Sequence, residues 1–457
     1  MNIDELKKIA RDHGIVGAGG AGFPTYAKMT DKADTIILNC AECEPLLKLH
    51  RQLLATHVEE ILQMLDEVRE TLSAKEAVIG IKSEYVSTVE AVKEEIKNYP
   101  SLRLCELRAE YPAGDEVILI YEATGRVIRP GGIPIDENVV VFNVETMYNL
   151  YRAVHLDVAV TNKIVSIVGE IDKPLTVRVP LGTTLPEAVA LAGKPTIKDP
   201  AYLIGGPMMG YLGTEKTVVT KTTNAIIILP KDHPIVQKMN KNLEIERRRA
   251  SSACCQCRTC TDLCSRHNLG HPIEPHKIMR AVANNDISDL LVFSNAAYCS
   301  GCGLCEKYAC PQGLSPKSII QEFKKGLRVA GVKPDKLEPA PVSPDRRYKK
   351  VPSHRLENRL GLAKYDVDAP FIDTTPESDY VRIQMSQHIG VPAIPIVKAG
   401  EKINKGQMIA KAAEGLSVPI HSSVWGVVEK VSDKEIVVRG TGMPEEERRR
   451  LKSLGML

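Results

Sequence analysis

Two stretches, Cys254-Cys-Gln-Cys257-Arg-Thr-Cys260-Thr-Asp-Leu-Cys264 and Cys299-Ser-Gly-Cys302-Gly-Leu-Cys305-Glu-Lys-Tyr-Ala-Cys310-Pro311, hold most of the chain's 12 cysteines. Their spacings are C-x2-C-x2-C-x3-C and C-x2-C-x2-C-x4-C-P. Three thiolates at steps of three can wrap three iron corners of one cubane and leave the fourth corner to a cysteine from elsewhere. Two such runs are the ligand pattern of a pair of 4Fe–4S clusters, in which the fourth cysteine of each run serves the other cluster. This reading assigns Cys254, Cys257, Cys260 and Cys310 to one cluster and Cys299, Cys302, Cys305 and Cys264 to the other. Zinc ordinarily takes C-x2-C pairs separated by a longer loop. A disulfide framework needs an oxidising compartment and better-separated thiols. Cys255 permits a second register in the first run, and the second run has one extra residue before Cys310.

At 457 residues the chain can form three or four domains, each with its own core. Its net charge of +3, with both signs spread along the sequence, gives no reason to expect nucleic acid or an acidic lipid surface. The N-terminal MNIDELKKIARDHG has no apolar h-region, so no signal peptide is expected. The longest apolar runs, such as Val139–Phe142 and Ala225–Leu229, have the length of strands and not of membrane spans. A cytoplasmic protein is expected, one that meets a membrane only through a partner.

Towards the N-terminus, Ile3, Leu6, Ile9 and Ala10 share one helical face. Gly14-Ile-Val-Gly17-Ala-Gly19-Gly20-Ala-Gly22-Phe-Pro24-Thr25 follows. Gly17, Gly19 and Gly22 satisfy G-x-G-x-x-G, but a dinucleotide fingerprint follows a strand and opens a helix. Here a helix precedes and Pro24 closes the loop, so a Rossmann site is rejected. The glycines still let backbone N–H groups approach a phosphate closely. A strand is expected at Thr35–Leu38, a long helix from Leu46 to Leu72, a strand at Ala77–Ile81 and a helix over Val86–Tyr99.

The GAGGAGFPT loop, Lys28, Asn39-Cys-Ala-Glu42-Cys-Glu44-Pro45, Tyr111-Pro-Ala-Gly114-Asp115-Glu116 and Asn143-Val-Glu-Thr146 resemble, in that order, the flavin- and NADH-binding subunit of respiratory complex I. They resemble the C subunit of the Rnf electron-transport complex more closely still. The resemblance implies that Gly17, Gly19, Gly20, Gly22 and Lys28 contact the phosphate of FMN. It puts Asn39, Glu42 and Glu44 along the flavin ring and nicotinamide. It places Tyr111, Gly114, Asp115 and Glu116 at the nucleotide site, and Asn143 with Thr146 near the flavin. Ala41 stands where the complex I protein has an acid, and Cys43 where it has glycine. Cys40 and Cys43 read as small packing residues.

Residues 160–232 resemble an SLBB β-grasp domain, through Val168-Gly-Glu170 with Pro174 and the Gly205-Gly-Pro-Met-Met-Gly210 loop. Residues 245–330 form the two-cluster ferredoxin-type unit, 331–378 read as an extended linker, and 379–440 resemble a barrel-sandwich hybrid. In that last unit Gly415 stands where a carrier domain would place its attachment lysine, so a carrier role is not expected. The fold class expected is therefore α/β and α+β multidomain, with the flavin domain spanning 1–155. This domain order, with the barrel sandwich last, resembles the PduS-type cobalamin reductases associated with propanediol-utilising microcompartments.

The resemblance implies a flavo-iron–sulfur oxidoreductase with FMN and two 4Fe–4S clusters, taking electrons from NADH and delivering them to a corrinoid. No side chain is expected to act as a general acid or base, since hydride transfer is carried by the cofactor. A corrinoid or corrinoid-processing enzyme, and microcompartment proteins, are the partners implied. An input subunit of an Rnf-type membrane complex, an oxidoreductase with another acceptor, and an electron-transfer adaptor that no longer oxidises NADH remain open.

Overall fold

The computed structural model describes residues 1–446 and 448–449. Four parallel strands, ordered Leu102–Leu107, Glu76–Lys82, Thr35–Cys40 and Val139–Asn143, form the N-terminal sheet. Side chains alternate across a strand, and this alternation sorts the residues between two cores. Ile36, Leu38, Ile79 and Phe142 join the core built with the helices Leu49–Thr56, Val58–Thr71 and Val144–Leu156. Ile37, Val78, Val139 and Val141 pack on the opposite side against Val117–Ile120 of the helix Glu116–Thr124. Burial on both faces explains why the strands read as continuous apolar runs.

The long helix expected from Leu46 to Leu72 is two helices, Leu49–Thr56 and Val58–Thr71. The break falls at His57, whose ring is held between Glu60 and the distant Asp373. A contact so remote in sequence leaves no local signal.

The second sheet has six strands in the order Phe371–Ile372, Leu175–Pro180, Asn162–Gly169, Ala225–Pro230, Pro200–Ile204 and Tyr211–Leu212. A buried ion pair ties it to the first domain. Lys163 on the Asn162–Gly169 strand meets Glu145, and the Ile164 N–H donates to Glu145 Oε1 at 3.1 Å. The cysteine runs lie among the helices Leu243–Ala253, Pro275–Asn284 and Pro316–Val329, around a small core that includes Ala250, Ile278, Met279 and Ile320.

The stretch read as a linker carries elements of its own. Val351–Pro352 pairs antiparallel with Glu110–Tyr111, Ser353–Leu360 is a helix, and Phe371–Ile372 extends the second sheet. Lys336 reaches Asp136, Arg346 reaches Glu122 and Lys350 reaches Glu110, so this segment straps the first domain along its length. The C-terminal unit is two small sheets. One holds Tyr380–Gln384, Glu435–Gly440, Gly426–Val431 and Lys402–Ile403, and the other Ile394–Pro395, Met408–Lys411 and Ile420–His421. Among the described residues no helix is long and apolar enough to cross a membrane.

Candidate functional site

The sequence-chosen residues converge at the carboxyl ends of the parallel strands. Asn39 lies near the end of the strand Thr35–Cys40 and Glu42 and Glu44 follow it, while Tyr111 to Glu116 follow Leu102–Leu107. Asn143 ends its strand and caps the next helix, accepting the Glu145 N–H at 2.9 Å. Open parallel sheets bind ligands in the crevice outside these ends.

The glycine loop closes over this edge. Its neck is fixed by the Gly17 N–H donating to Phe23 O at 2.8 Å, and its floor by the Ala18 N–H donating to Thr146 Oγ1 at 2.9 Å. Gly20 and Gly22 have φ of +62° and +68°, a left-handed conformation that side chains with a Cβ rarely adopt. Nothing lies within 4 Å of where a Gly20 side chain would start, so the loop presents bare backbone to open space. Lys28 sits beneath, donating to Val141 O at 2.6 Å. Burial lowers its pKa, and the Glu116 carboxylate opposes that shift.

Several polar atoms around this crevice are sealed from water without a partner: Thr25 Oγ1, Glu42 Oε2, Glu44 Oε1, Asn224 Oδ1 and His388 Nε2. Buried polar groups normally find partners. A ligand that carries hydroxyl and N–H donors, as FMN does on its ribityl chain and ring, fits such a set. Glu42 is buried, with its backbone at φ +36°. Its Oε1 accepts the His50 N–H at 2.9 Å, and burial raises its pKa.

Other expected site residues bind protein groups. Asn39 donates from Nδ2 to Gly114 O at 3.0 Å. Glu44 Oε2 accepts the Met208 N–H at 2.8 Å, and a Cβ on Gly206 would lie 2.1 Å from that oxygen, so only glycine allows the loop to close on the carboxylate. Asp115 caps the helix Glu116–Thr124 by accepting the Val117 and Ile118 N–H groups, and both of its oxygens also accept from Arg266 Nη2, at 2.8 and 3.0 Å. Tyr111 donates its hydroxyl to the carbonyl oxygen of Cys302 at 2.6 Å. Cys43 packs near Gly114, and burial, with Glu44 adding to it, pushes its thiol up to about 12. Cys40 is fully buried and shifted the same way. Both stay thiols at neutral pH.

The eight run cysteines fall into two groups. Cys254, Cys257, Cys260 and Cys310 line one cavity, with Cys255, His276 and Met279. Burial pushes Cys260 up to about 12, and the thiols that add to the shift are Cys310, Cys257 and Cys254. Cys264 is also pushed up to about 12 by burial, and there the neighbours are Cys302 and Cys299. Cys305 is raised by burial and then by Cys299, Cys302 and Cys264. Each fourth cysteine thus faces the other run. No group of His, Cys, Asp or Glu side chains among the described residues is gathered tightly enough to hold a single metal ion. The donor set suits iron–sulfur, since thiolates are the ligands of such clusters.

The sequence carries no signal for Arg266, and none for what Lys221, Asn224 and His388 do. The Lys221-Thr-Thr-Asn224 segment stands out in the sequence without an assignable role. Its role is long-range: Lys221 is buried and donates from Nζ to Gly14 O at 2.6 Å and Pro419 O at 3.4 Å.

Four family models match the chain: the Nuo51 FMN-binding domain over residues 10–152, the SLBB domain over 164–212, a 4Fe-4S dicluster domain over 253–315, and the RnfC barrel sandwich hybrid domain over 363–444. Cobalamin reductase PduS of Salmonella typhimurium is 39% identical over 444 residues, covering 96% of this chain and 98% of that protein. The chain belongs to the PduS cobalamin reductase family. A second PduS, from Citrobacter freundii, is 38% identical over 95% of the chain and 96% of its own length. The C subunit of the Na(+)-translocating ferredoxin:NAD(+) oxidoreductase complex of Acetobacterium woodii is 29% identical over 58% of the chain and 59% of its own length. This PduS-family chain is thus an oxidoreductase of electron transport, with an FMN-binding domain and a 4Fe–4S dicluster domain.

Proposed function

We propose that this chain passes electrons from NADH to a corrinoid, with FMN and two 4Fe–4S clusters as its cofactors. Bound FMN supplies the conversion of a hydride into single electrons, which the clusters carry one at a time. The observation that carries the reading is the hydrogen bond from Tyr111 to Cys302, which puts the nucleotide segment of the flavin domain against a cluster-binding run.

In this reading the backbone of Gly17, Gly19, Gly20 and Gly22 holds the flavin phosphate, and Lys28 supplies positive charge beneath it. Asn143 and Thr146 fix the loop and helix that frame the flavin. Glu42, whose Oε2 has no hydrogen bond and lies 4.0 Å from Arg51 Nε, faces the ring and nicotinamide side. Glu44, Asn39, Gly114 and Asp115 act by holding the surrounding segments in register. Glu116 balances the charge of Lys28. The cysteines serve as the two crossed sets, Cys254, Cys257, Cys260, Cys310 and Cys299, Cys302, Cys305, Cys264. The family name, cobalamin reductase, supports a corrinoid as the acceptor, and a corrinoid-processing enzyme in a cytoplasmic microcompartment is the setting proposed for it. The domains fall at 1–155, 160–232, 245–330 and 379–440, joined by 331–378.

A second reading, an input subunit of an Rnf-type membrane complex, is favoured by the RnfC barrel-sandwich match. Co-purification with integral membrane partners supports it; their absence with corrinoid reduction intact rejects it. The deciding experiment for the main reading reconstitutes the full chain with FMN, iron and sulfide, adds NADH anaerobically, and follows cob(III)alamin and cob(II)alamin spectra. Corrinoid reduction that requires the chain is expected. Reduced flavin with unchanged corrinoid rejects the acceptor.

A further inference from the structure

The glycine loop is covered from two other domains. Thr222 and Asn224 come from the segment preceding the Ala225–Pro230 strand, and Gln387 and His388 from the loop after Tyr380–Gln384. The Ile389 N–H donates to Ala21 O at 3.0 Å. A Cβ on Gly22 would stand 2.8 Å from Thr222 Cγ2 and 3.2 Å from His388 Cα, so the approach is as close as backbone allows. A Cβ on Gly19 would stand 3.4 Å from Asn224 Nδ2 and 3.8 Å from Asn143 Nδ2. Lys221 fastens the assembly. Besides its two contacts to Gly14 and Pro419, its backbone N–H donates to Gln387 Oε1 at 3.1 Å.

Asn224 and His388 reach the loop through Asn224 Nδ2 and His388 Cα, and each carries a buried polar atom with no hydrogen-bond partner, Asn224 Oδ1 and His388 Nε2. Their chemistry is the same. His388 Nδ1 lies 2.8 Å from Ile389 O, which can only accept, so the ring proton sits on Nδ1 and Nε2 of the neutral ring is an acceptor. Burial, with Lys221 adding to it, lowers the His388 pKa and keeps the ring neutral. Asn224 Oδ1 is likewise an acceptor. A phosphate offers only acceptors, so neither atom suits it; both need a hydroxyl or N–H donor.

We propose that Asn224 and His388 complete the flavin site by accepting hydrogen bonds from the hydroxyl groups of the flavin's ribityl chain. This rests on the reading that FMN occupies the glycine-loop crevice. The site is then built by three domains, with Asn224 Nδ2 beside Gly19 as a donor next to the loop backbone.

Fluorescence titration of the full chain with FMN, with riboflavin, which keeps the ribityl chain without the phosphate and is expected to follow FMN in every variant, and with lumiflavin, which lacks both, tests this directly. Asn224→Ala and His388→Ala are each expected to weaken FMN binding about tenfold, the worth of one well-placed hydrogen bond. Lumiflavin binding is expected to stay at the wild-type level, and His388→Gln, which keeps an acceptor, to bind FMN within about threefold of wild type. Wild-type FMN affinity in both alanine variants overturns the proposal, as does an equal loss of lumiflavin binding. A wild-type chain that binds no FMN overturns the functional reading as well.

Discussion

The hydroxyl of Tyr111 donates a 2.6 Å hydrogen bond to the backbone carbonyl of Cys302. One residue follows the third strand of the flavin domain and the other belongs to the second cysteine run, so a single bond spans the junction between them. Asp115 and Arg266 form a second tether beside it. Tyr111 is 3% exposed, so Tyr111→Phe removes the donor with little change in packing. The expected cost is about 1 kcal/mol, seen as a fall of about 2 °C in the apparent melting temperature of the reconstituted chain. FMN content should be unchanged.

The crossing of the cysteine sets has a spectroscopic consequence. Cys310 lines the cavity of Cys254, Cys257 and Cys260, while Cys264 faces Cys299 and Cys302. Cys310→Ser and Cys254→Ser should therefore perturb the same cluster signal in electron paramagnetic resonance, and Cys264→Ser the other. Cys255→Ser should leave both signals, although Cys255 also lines the first cavity. Loss of a cluster in Cys255→Ser means the first run uses the other register.

Glu145 and Lys163 are 2% and 1% exposed and pair across the boundary of the first two domains. Removing one partner of a buried pair leaves an uncompensated charge, at a cost of about 3–5 kcal/mol. Glu145→Gln should lower thermal stability markedly. The double variant Glu145→Gln with Lys163→Met should recover a large part of the loss.

His57 and Asp373 make a pH-dependent clasp between the strap and the first domain. Burial works against the charged form of His57, but bonds to Asp373 and Glu60 outweigh it and raise its pKa. Burial likewise works against ionised Asp373, but bonds to His57 and Arg178 outweigh it and lower its pKa. A raised histidine gives stability that is complete below its unfolded value of about 6.5 and is lost as pH rises through the folded value. A lowered carboxylate gives stability that is complete above its unfolded value of about 3.9 and is lost as pH falls through the folded value. The clasp should therefore be strongest in mildly acidic solution and weaken above neutrality. His57→Gln should remove the alkaline-side loss from a plot of melting temperature against pH.

What could be read from the sequence was what is local. The cysteine spacings and the glycine loop with Lys28 are contiguous patterns whose chemistry follows from residue type and step. The apolar strands Thr35–Cys40 and Val139–Asn143 announce themselves for the same reason. The break at His57 and the strap through Val351–Pro352 and Phe371–Ile372 depend on partners hundreds of residues away. Likewise no role could be read for Asn224 or His388, since each gains meaning only from the loop it is folded against. Asp115 and Glu44 were expected at the site from their motifs, and nothing local announced their ties to Arg266 and Met208.

In the function proposed, electrons taken from NADH at the glycine-loop crevice reach the cysteine runs across the Tyr111–Cys302 junction. The most direct measurement mixes the reconstituted chain anaerobically with NADH, follows flavin absorbance by stopped flow, and freeze-quenches samples for electron paramagnetic resonance. Flavin bleaching followed by the signals of reduced 4Fe–4S clusters is expected. A flavin that stays oxidised, or a reduced flavin beside clusters that remain silent, contradicts the claim.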